Sequence, residues 1–249
     1  MVRAPHGGDT ARTYIRQVLR RTRLFAAWPE VALDTLSDAG RVQVCSPGET
    51  VARRGEKAQT LRVVAAGWLE TSRTWADGRR MVVNLSQAYD LIDVAAIFDT
   101  EPALFDVTAR GAATLVTVPH WTIRDLVDRN AGLGLSVIQA LSLKARADAE
   151  RLQAGLVNSP RVRLAKTLIA LGAERPDREG APRLPLTQDD LAAMLGLSRQ
   201  SVVSALKPLV RDGVLETRYR SVRLLDPARL QAVAHEEEHE TPAETAVLS

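Results

Sequence analysis

The chain has 249 residues and 45% hydrophobic content, enough for one large or two modest domains with packed cores. Its formal net charge is +3, no apolar run approaches a membrane span, and residues 1–9 lack the apolar stretch of a signal peptide. One cysteine, Cys45, excludes an internal disulfide framework and a four-cysteine iron–sulfur cluster within one chain, so the cytoplasm is the expected compartment.

Thr10–Gly40 reads as helical. Tyr14, Ile15, Val18 and Leu19 form one stripe, and Leu24, Phe25, Trp28, Val31, Leu33 and Leu36 extend the apolar content. From Arg41 to about Pro119 the pattern turns strand-like. Val42/Val44, Val63/Val64, Leu69/Thr71, Met81–Val83 and Leu115–Val118 alternate with Pro47-Gly48, Arg54-Gly55, Ala66-Gly67 and Asp77-Gly78, which predicts a barrel or sandwich. Asp77-Gly78, between Thr71–Trp75 and Arg79–Asn84, predicts a hairpin. Trp68, Trp75 and Tyr89 are expected in core packing. His120–Asn130 reads as a short helix, and Ala131 to about Ser159 has few breakers. Ile138, Leu141, Ala145, Ala149, Leu152 and Leu156 recur there at coiled-coil spacing, which places them at an expected homodimer interface. Pro160 punctuates the chain, Arg163–Leu171 begins another helix, and Ala173–Pro185 reads as a polar loop.

Residues 187–206 carry the strongest signal. Thr187 is a natural N-cap, and Asp189 and Asp190 suit the positive end of the helix that follows. Leu191, Ala192 and Leu195 form its apolar stripe, and Gly196 supplies the left-handed residue that stops it. Ser198 caps a second helix whose Val202, Ala205 and Leu206 face inward. Ala192, Gly196 and Val202 sit at the spacing of a DNA-binding helix-turn-helix. The second helix exposes Arg199, Gln200, Ser201 and Ser204, the expected base-reading residues; Arg suits guanine and Gln suits adenine.

Val214–Tyr219 and Ser221–Leu225 alternate like two short strands around Arg220, which predicts a wing. Thr187, Ser198, Lys207, Arg218, Arg220 and Arg223 are the expected backbone contacts; phosphate contacts position a protein without reading sequence. Residues 160–229 hold 13 Arg or Lys against 8 Asp or Glu, consistent with a double-stranded DNA partner. From about His235, Glu236, Glu237, Glu238, Glu240 and Glu244 read as a solvated or disordered acidic tail.

This layout resembles the Crp/Fnr superfamily of bacterial transcription regulators over roughly Leu19–Leu230. The resemblance is carried by Leu19-Arg20-Arg21-Thr22-Arg23-Leu24-Phe25, Pro47-Gly48-Glu49, Arg54-Gly55-Glu56, Val63-Val64-Ala65-Ala66-Gly67 and Leu186–Gly213. It implies an α+β fold: an N-terminal double-stranded, jelly-roll-like β-roll, a long dimerisation helix and a C-terminal winged helix-turn-helix. The expected divisions are 1–18, an N-terminal extension; 19–130, a cyclic-nucleotide-binding-like sensor domain; 131–159, the dimerisation helix; 160–234, the DNA-binding domain; and 235–249, the acidic tail. The resemblance also implies contact with RNA polymerase.

Members that bind cyclic AMP carry a Gly-Glu-Leu turn and, about ten residues later, an Arg-Ser or Arg-Thr pair. Here the corresponding positions are Asp93 and Val94, then Leu104 and Phe105. Neither Leu104 nor Phe105 offsets a phosphate charge, and Arg110 is expected on the next strand. The dimer-helix pair that touches adenine falls near Asp148 and Ala149. The resemblance therefore implies a degenerate pocket and an unknown effector. Cys45, His6 and His120 are the residues a haem iron could use; Cys45 is also read as a small core residue, and His120 as a cap or an exposed side chain. No cofactor is otherwise expected. Both best-known branches of the family place a glutamate at Gln200 and an arginine at Ser204, and the cyclic-AMP branch matches Arg199, so an unusual operator is expected. The rival readings are a haem- or redox-responsive sensor of the same family and a ligand-binding module acting on a protein partner. Asp90, Asp93 and Asp99 are close in sequence, but no nucleophile–base pair, metal cluster or phosphate-cradling loop points to an enzyme.

Overall fold

The computed structural model describes residues 8–172 and 183–236; His6, most of the Ala173–Pro185 loop and the acidic tail beyond Glu236 lie outside the described residues. The chain divides into two compact units, the first ending at Ala147 and the second beginning at Asp148.

In the first unit, α1 (Gly8–Arg21) and α2 (Glu30–Ala39) replace the single helical run read from Thr10 to Gly40. Residues 22–28 turn between them, and Pro29 stands at the N-cap of α2, where its missing N–H costs nothing. Arg12, Arg16 and Arg20 repeat every turn along α1 and pair with Glu30, Asp34 and Asp38 of α2. Ile15 and Val18, inside the segment 1–18 read as an extension, are buried in the unit's core.

Eight strands follow: β1 (Arg41–Cys45), β2 (Thr50–Ala52), β3 (Thr60–Ala66), β4 (Leu69–Thr74), β5 (Arg80–Ser86), β6 (Leu91–Ile92), β7 (Asp106–Ala109) and β8 (Ala113–Pro119). They form two antiparallel sheets, ordered β1-β8-β3-β6 and β2-β7-β4-β5. Gly78 closes the β4–β5 hairpin with φ 84°, as the Asp77-Gly78 pair predicts. The central strands β3 and β8 bury apolar side chains on both faces. Leu61, Val63, Val116 and Val118 join Leu19, Phe25 and other helical side chains in one core, while Val64, Ala113 and Leu115 join Cys45, Leu69 and Val107 in the second. Strands covered on both sides read as continuous apolar runs, which is why these two are plain in the sequence.

α3 (His120–Arg129) leads into α4 (Ala131–Val157), 27 residues long. Leu133 and Val137 enter the first unit's core and Leu141 packs partly against it, whereas Leu152 and Leu156 are 69% and 80% exposed. Ile138, Ala145 and Ala149 are also exposed.

The second unit holds α5 (Pro160–Gly172), β9 (Arg183–Leu184), α6 (Gln188–Leu195), α7 (Arg199–Arg211), β10 (Leu215–Arg218), β11 (Ser221–Leu224) and α8 (Pro227–Ala234). Its sheet is ordered β10-β11-β9. Leu164, Leu168, Leu191, Val202, Leu206 and Leu230 are buried there. Among the described residues, no helix is long and apolar enough to cross a membrane.

Candidate functional site

The helix-turn-helix is fixed at its ends. Thr187 Oγ1 accepts the Asp190 N–H at 3.1 Å, while the Asp190 carboxylate accepts the Thr187 N–H at 2.8 Å and hydroxyl at 2.6 Å. This reciprocal box satisfies two donors at the start of α6. At the other end Gly196 takes φ 61°, where a side chain is strained, and the Leu197 N–H reaches the Ala192 carbonyl at 3.1 Å. Arg163 of α5 donates to the Leu195 carbonyl, one of the helix's last unpaired acceptors. The sequence reading missed this tie. Ser198 then caps α7 by accepting the Ser201 N–H at 3.1 Å.

With Val202, Ala205, Leu206 and Leu209 buried, α7 presents Arg199, Gln200, Ser204 and Lys207 to solvent. Ser201 is half-buried, and its hydroxyl lies 2.8 Å from that of Ser198. Thr187, Ser198 and Ser201 are thus already engaged in caps. Arg199 lies beside Asp189 and Gln188.

The wing is β10 and β11, in register from Leu215↔Leu224 to Arg218↔Ser221. Tyr219 and Arg220 form its exposed turn, with Arg220 at φ 55°. Arg218 is exposed and donates to Glu216 at 2.8 Å. Arg223 is half-buried, opposite Glu216 on one side and Arg183 on the other.

In the first unit, the β-roll holds a cavity of about 310 Å³. Asp93, Val94, Leu104 and Phe105 all line it, and Thr71, Asn84 and Ser86 add uncharged polar groups. Lys144 of α4 is its one basic lining residue among the described residues. Asp93 has φ 67° and is ion-paired with Arg62. Burial pushes its carboxyl upward from the usual range, against the pull of Arg62. Arg110 follows β7 directly and donates to Glu70 at 2.8 Å; Glu70 also accepts from Arg80 at 2.6 Å.

Residues 42–130 match the cyclic nucleotide-binding domain family, and residues 162–233 match the Crp-like helix-turn-helix domain family. The chain belongs to the Crp/Fnr superfamily of transcription regulators. It is 24% identical over 217 residues to a CRP-like cAMP-activated global transcriptional regulator of Mycobacterium tuberculosis, covering 86% of this chain and 97% of that protein. It is 26% identical over 208 residues to the transcriptional activator protein FnrA of Stutzerimonas stutzeri, covering 82% and 83%. The solved structure of FixK2 from Bradyrhizobium japonicum shares the fold, with a TM-score of 0.69 at 17% identity, over 78% of this chain and 96% of that one.

The cavity's chemistry bears on a cyclic nucleotide. A cyclic nucleotide brings a phosphate anion, and among the described residues no arginine lines the cavity. Arg62 is committed to Asp93 and Arg110 to Glu70. Leu104 and Phe105, near which the arginine of cyclic-AMP-binding members is expected to fall, line the cavity with apolar side chains. The residues present do not fit the phosphate.

The residues weighed as haem ligands are placed as follows. Cys45 is buried in β1, and burial, followed by the Glu49 charge, raises its thiol against the pull of Arg62. His120 is only 4% exposed, correcting its reading as a cap or exposed side chain. It starts α3 directly after β8, and that junction draws the ring inside. Neither lines the cavity, and among the described residues no cluster of three or more His, Cys, Asp or Glu side chains is placed to hold a metal. The aromatic expectations also divide. Tyr89 packs against the core and accepts from Arg21 at 2.8 Å, but Trp75 sits half-buried at the hairpin with the guanidinium groups of Arg73 and Arg79 over its ring at 4.8 and 5.9 Å.

Proposed function

We propose that two copies of this chain pair along α4 and bind an inverted-repeat operator, each inserting α7 into the major groove. The observation that carries this reading is the solvent face of α7. Arg199, Gln200, Ser204 and Lys207 are displayed together on a helix whose opposite face is buried and whose supporting turn is capped throughout. Arg199 and Gln200 are the principal base readers, with Ser204 and Ser201 beside them. Lys207, Arg218 and Arg220 carry most of the phosphate contact, with Arg223, Thr187 and Ser198 at its margins.

Pairing uses the exposed apolar side chains of α4: Ile138, Leu152 and Leu156, with Ala145 and Ala149 allowing close approach and Leu141 at the inner edge. A helix of this length leaves such side chains in water unless a partner covers them. Two-fold pairing sets two recognition helices about 34–36 Å apart, one turn of duplex. The bound dimer contacts RNA polymerase, and the protein works in the cytoplasm.

The relative from Mycobacterium tuberculosis is cAMP-activated by name. This chain is not controlled by cyclic AMP in that way, because the described residues of its cavity offer no arginine to the phosphate. Any effector acts by binding the DNA-competent state better than the alternative state. The test is selection of bound sequences from random duplex DNA, using purified protein with and without cyclic AMP. Enrichment of the same inverted repeat in both arms is the expected result. Enrichment only with cyclic AMP overturns the effector reading, and salt-sensitive binding without enrichment in either arm overturns operator reading by the unliganded dimer.

A further inference from the structure

We infer that the β-roll cavity binds an uncharged, mainly apolar organic molecule carrying a hydrogen-bonding group, in place of an anionic nucleotide. This rests on the reading of the first unit as a sensor domain. The volume, about 310 Å³, lies at the lower end of the range for small-ligand pockets.

The wall sorts by depth. Ile92, Val94, Val107 and Ser86 are its buried members, and Phe105 and Val83 are half-buried beside them. The charged groups Asp99, Glu101 and Lys144 are all exposed, and so lie at the rim. Asp99 already accepts the Glu101 N–H at 2.8 Å. Asp93 is the one ionisable lining group set deeper, and its charge is matched by Arg62. The interior is therefore apolar, with Thr71, Asn84 and Ser86 as its hydrogen-bonding groups. Asn84 Nδ2 and Ser86 Oγ lie 3.2 Å apart, a polar spot on β5.

This arrangement selects by charge. An anion meets two carboxylates against the single ammonium of Lys144 at the rim, and it loses hydration inside, where the cation beside Asp93, Arg62, is already paired with it. A cation gains only the attraction of exposed carboxylates, which salt screens, and loses its hydration in the same apolar wall. A neutral molecule incurs neither cost and buries apolar surface. Ala95 and Ala96, in the turn beside Asp93, keep that side of the cavity open because their side chains are single methyls.

The test uses the whole protein and probes of similar size. N-phenyl-1-naphthylamine is neutral, 8-anilino-1-naphthalenesulfonate adds a sulfonate to nearly the same rings, and thioflavin T is a cation. Saturable fluorescence of the neutral dye at one site per protomer is expected. Its affinity should exceed those of the sulfonate and the cation by about tenfold or more, since each charged dye must leave water unpaired. Cyclic AMP should not displace it. Two variants at exposed positions locate the site without threatening the core. Leu104→Arg should narrow the gap between neutral and sulfonate dyes by about tenfold, by adding a cation to the wall. Ala95→Trp should weaken the neutral dye by about fivefold or more, by filling space. The inference is overturned by absent neutral-dye binding, by binding that both variants leave unchanged, or by charged dye or cyclic AMP binding as tightly as the neutral dye. Operator selection is scored separately. Protein that enriches an inverted repeat but fails the dye test loses only this inference, and protein that passes the dye test without enrichment loses only the operator reading.

Discussion

The guanidinium of Arg199 lies 3.6 Å from the carboxylate of Asp189 and 3.4 Å from the side-chain oxygen of Gln188. The side chain proposed to read a base is thus latched to the first turn of the preceding helix. Both partners of the ion pair are well exposed, so the latch is weak and salt-sensitive. Asp189→Asn should free Arg199 and also remove a negative charge near the DNA. Operator affinity should rise by roughly two- to fivefold at low salt and less at high salt. Binding isotherms at two salt concentrations check this, and unchanged affinity at low salt would refute the latch.

Arg199→Ala should act differently. It should cost about 1–3 kcal/mol at one base pair per half-site and relax the preference there. Competition between the operator and single-base variants measures it. Equal losses on operator and random duplex would show that Arg199 contacts only phosphate.

The wing arginines should show the opposite signature. Arg218→Ala and Arg220→Gly should each weaken all sequences alike and lower the log–log salt slope by about one unit per subunit. Glycine is the informative choice at position 220, because φ 55° suits it and the charge is removed without adding backbone strain. A change in base preference with an unchanged salt slope would remove these residues from the phosphate set.

Along α4 the burial pattern separates two kinds of apolar residue. Leu152→Glu and Leu156→Glu alter side chains that are exposed within one chain, so each variant should stay folded. Each should sediment as a monomer and lose operator binding while keeping weak general DNA binding. Leu133→Glu or Val137→Glu instead places a charge in the first unit's core and should destabilise that unit. Dimeric Leu152→Glu protein would move the interface elsewhere.

What the sequence disclosed follows from how local each feature is. The helix-turn-helix was legible because Thr187, Gly196 and Ser198 act on neighbours within a few residues, and a cap or a left-handed glycine needs no tertiary context. β3 and β8 were legible as apolar runs. β2 and β6 were not, because strands of three and two residues carry no period of their own and exist by pairing with distant partners. β7 is held between β2 and β4 in the same way. The start of α8 did carry a signal that was passed over: Asp226 caps the Arg229 N–H at 2.9 Å, and Pro227 occupies the first turn. In the cavity, the resemblance to the family pattern pointed to Asp93, Val94, Leu104 and Phe105, and all four line its wall. It could not reveal the Arg62–Asp93 pair, whose members lie 31 residues apart, nor Lys144, which reaches the cavity from α4.

His120 links stability to acid. Its Nε2 is buried without a hydrogen-bond partner among the described residues. Burial first, then the nearby charges of Arg124 and Arg62, lower its pKa from 6.5 to about 4, against a raising hydrogen bond with the Thr60 backbone. The folded state therefore favours the neutral ring. The stability this confers is fully present above pH 6.5 and is lost as pH falls through 6.5 toward and below about 4. The loss from this one group is bounded at roughly 3 kcal/mol. His120→Phe keeps a flat ring, cannot protonate and removes the unpartnered nitrogen. It gives up the hydrogen bond with Thr60, costing about 1 kcal/mol near neutrality. Urea unfolding at pH 7, 5.5 and 4.5 should show wild-type stability falling toward that of the variant and then below it. A difference between the two proteins that stays constant across this range would show that protonation of His120 is not coupled to folding.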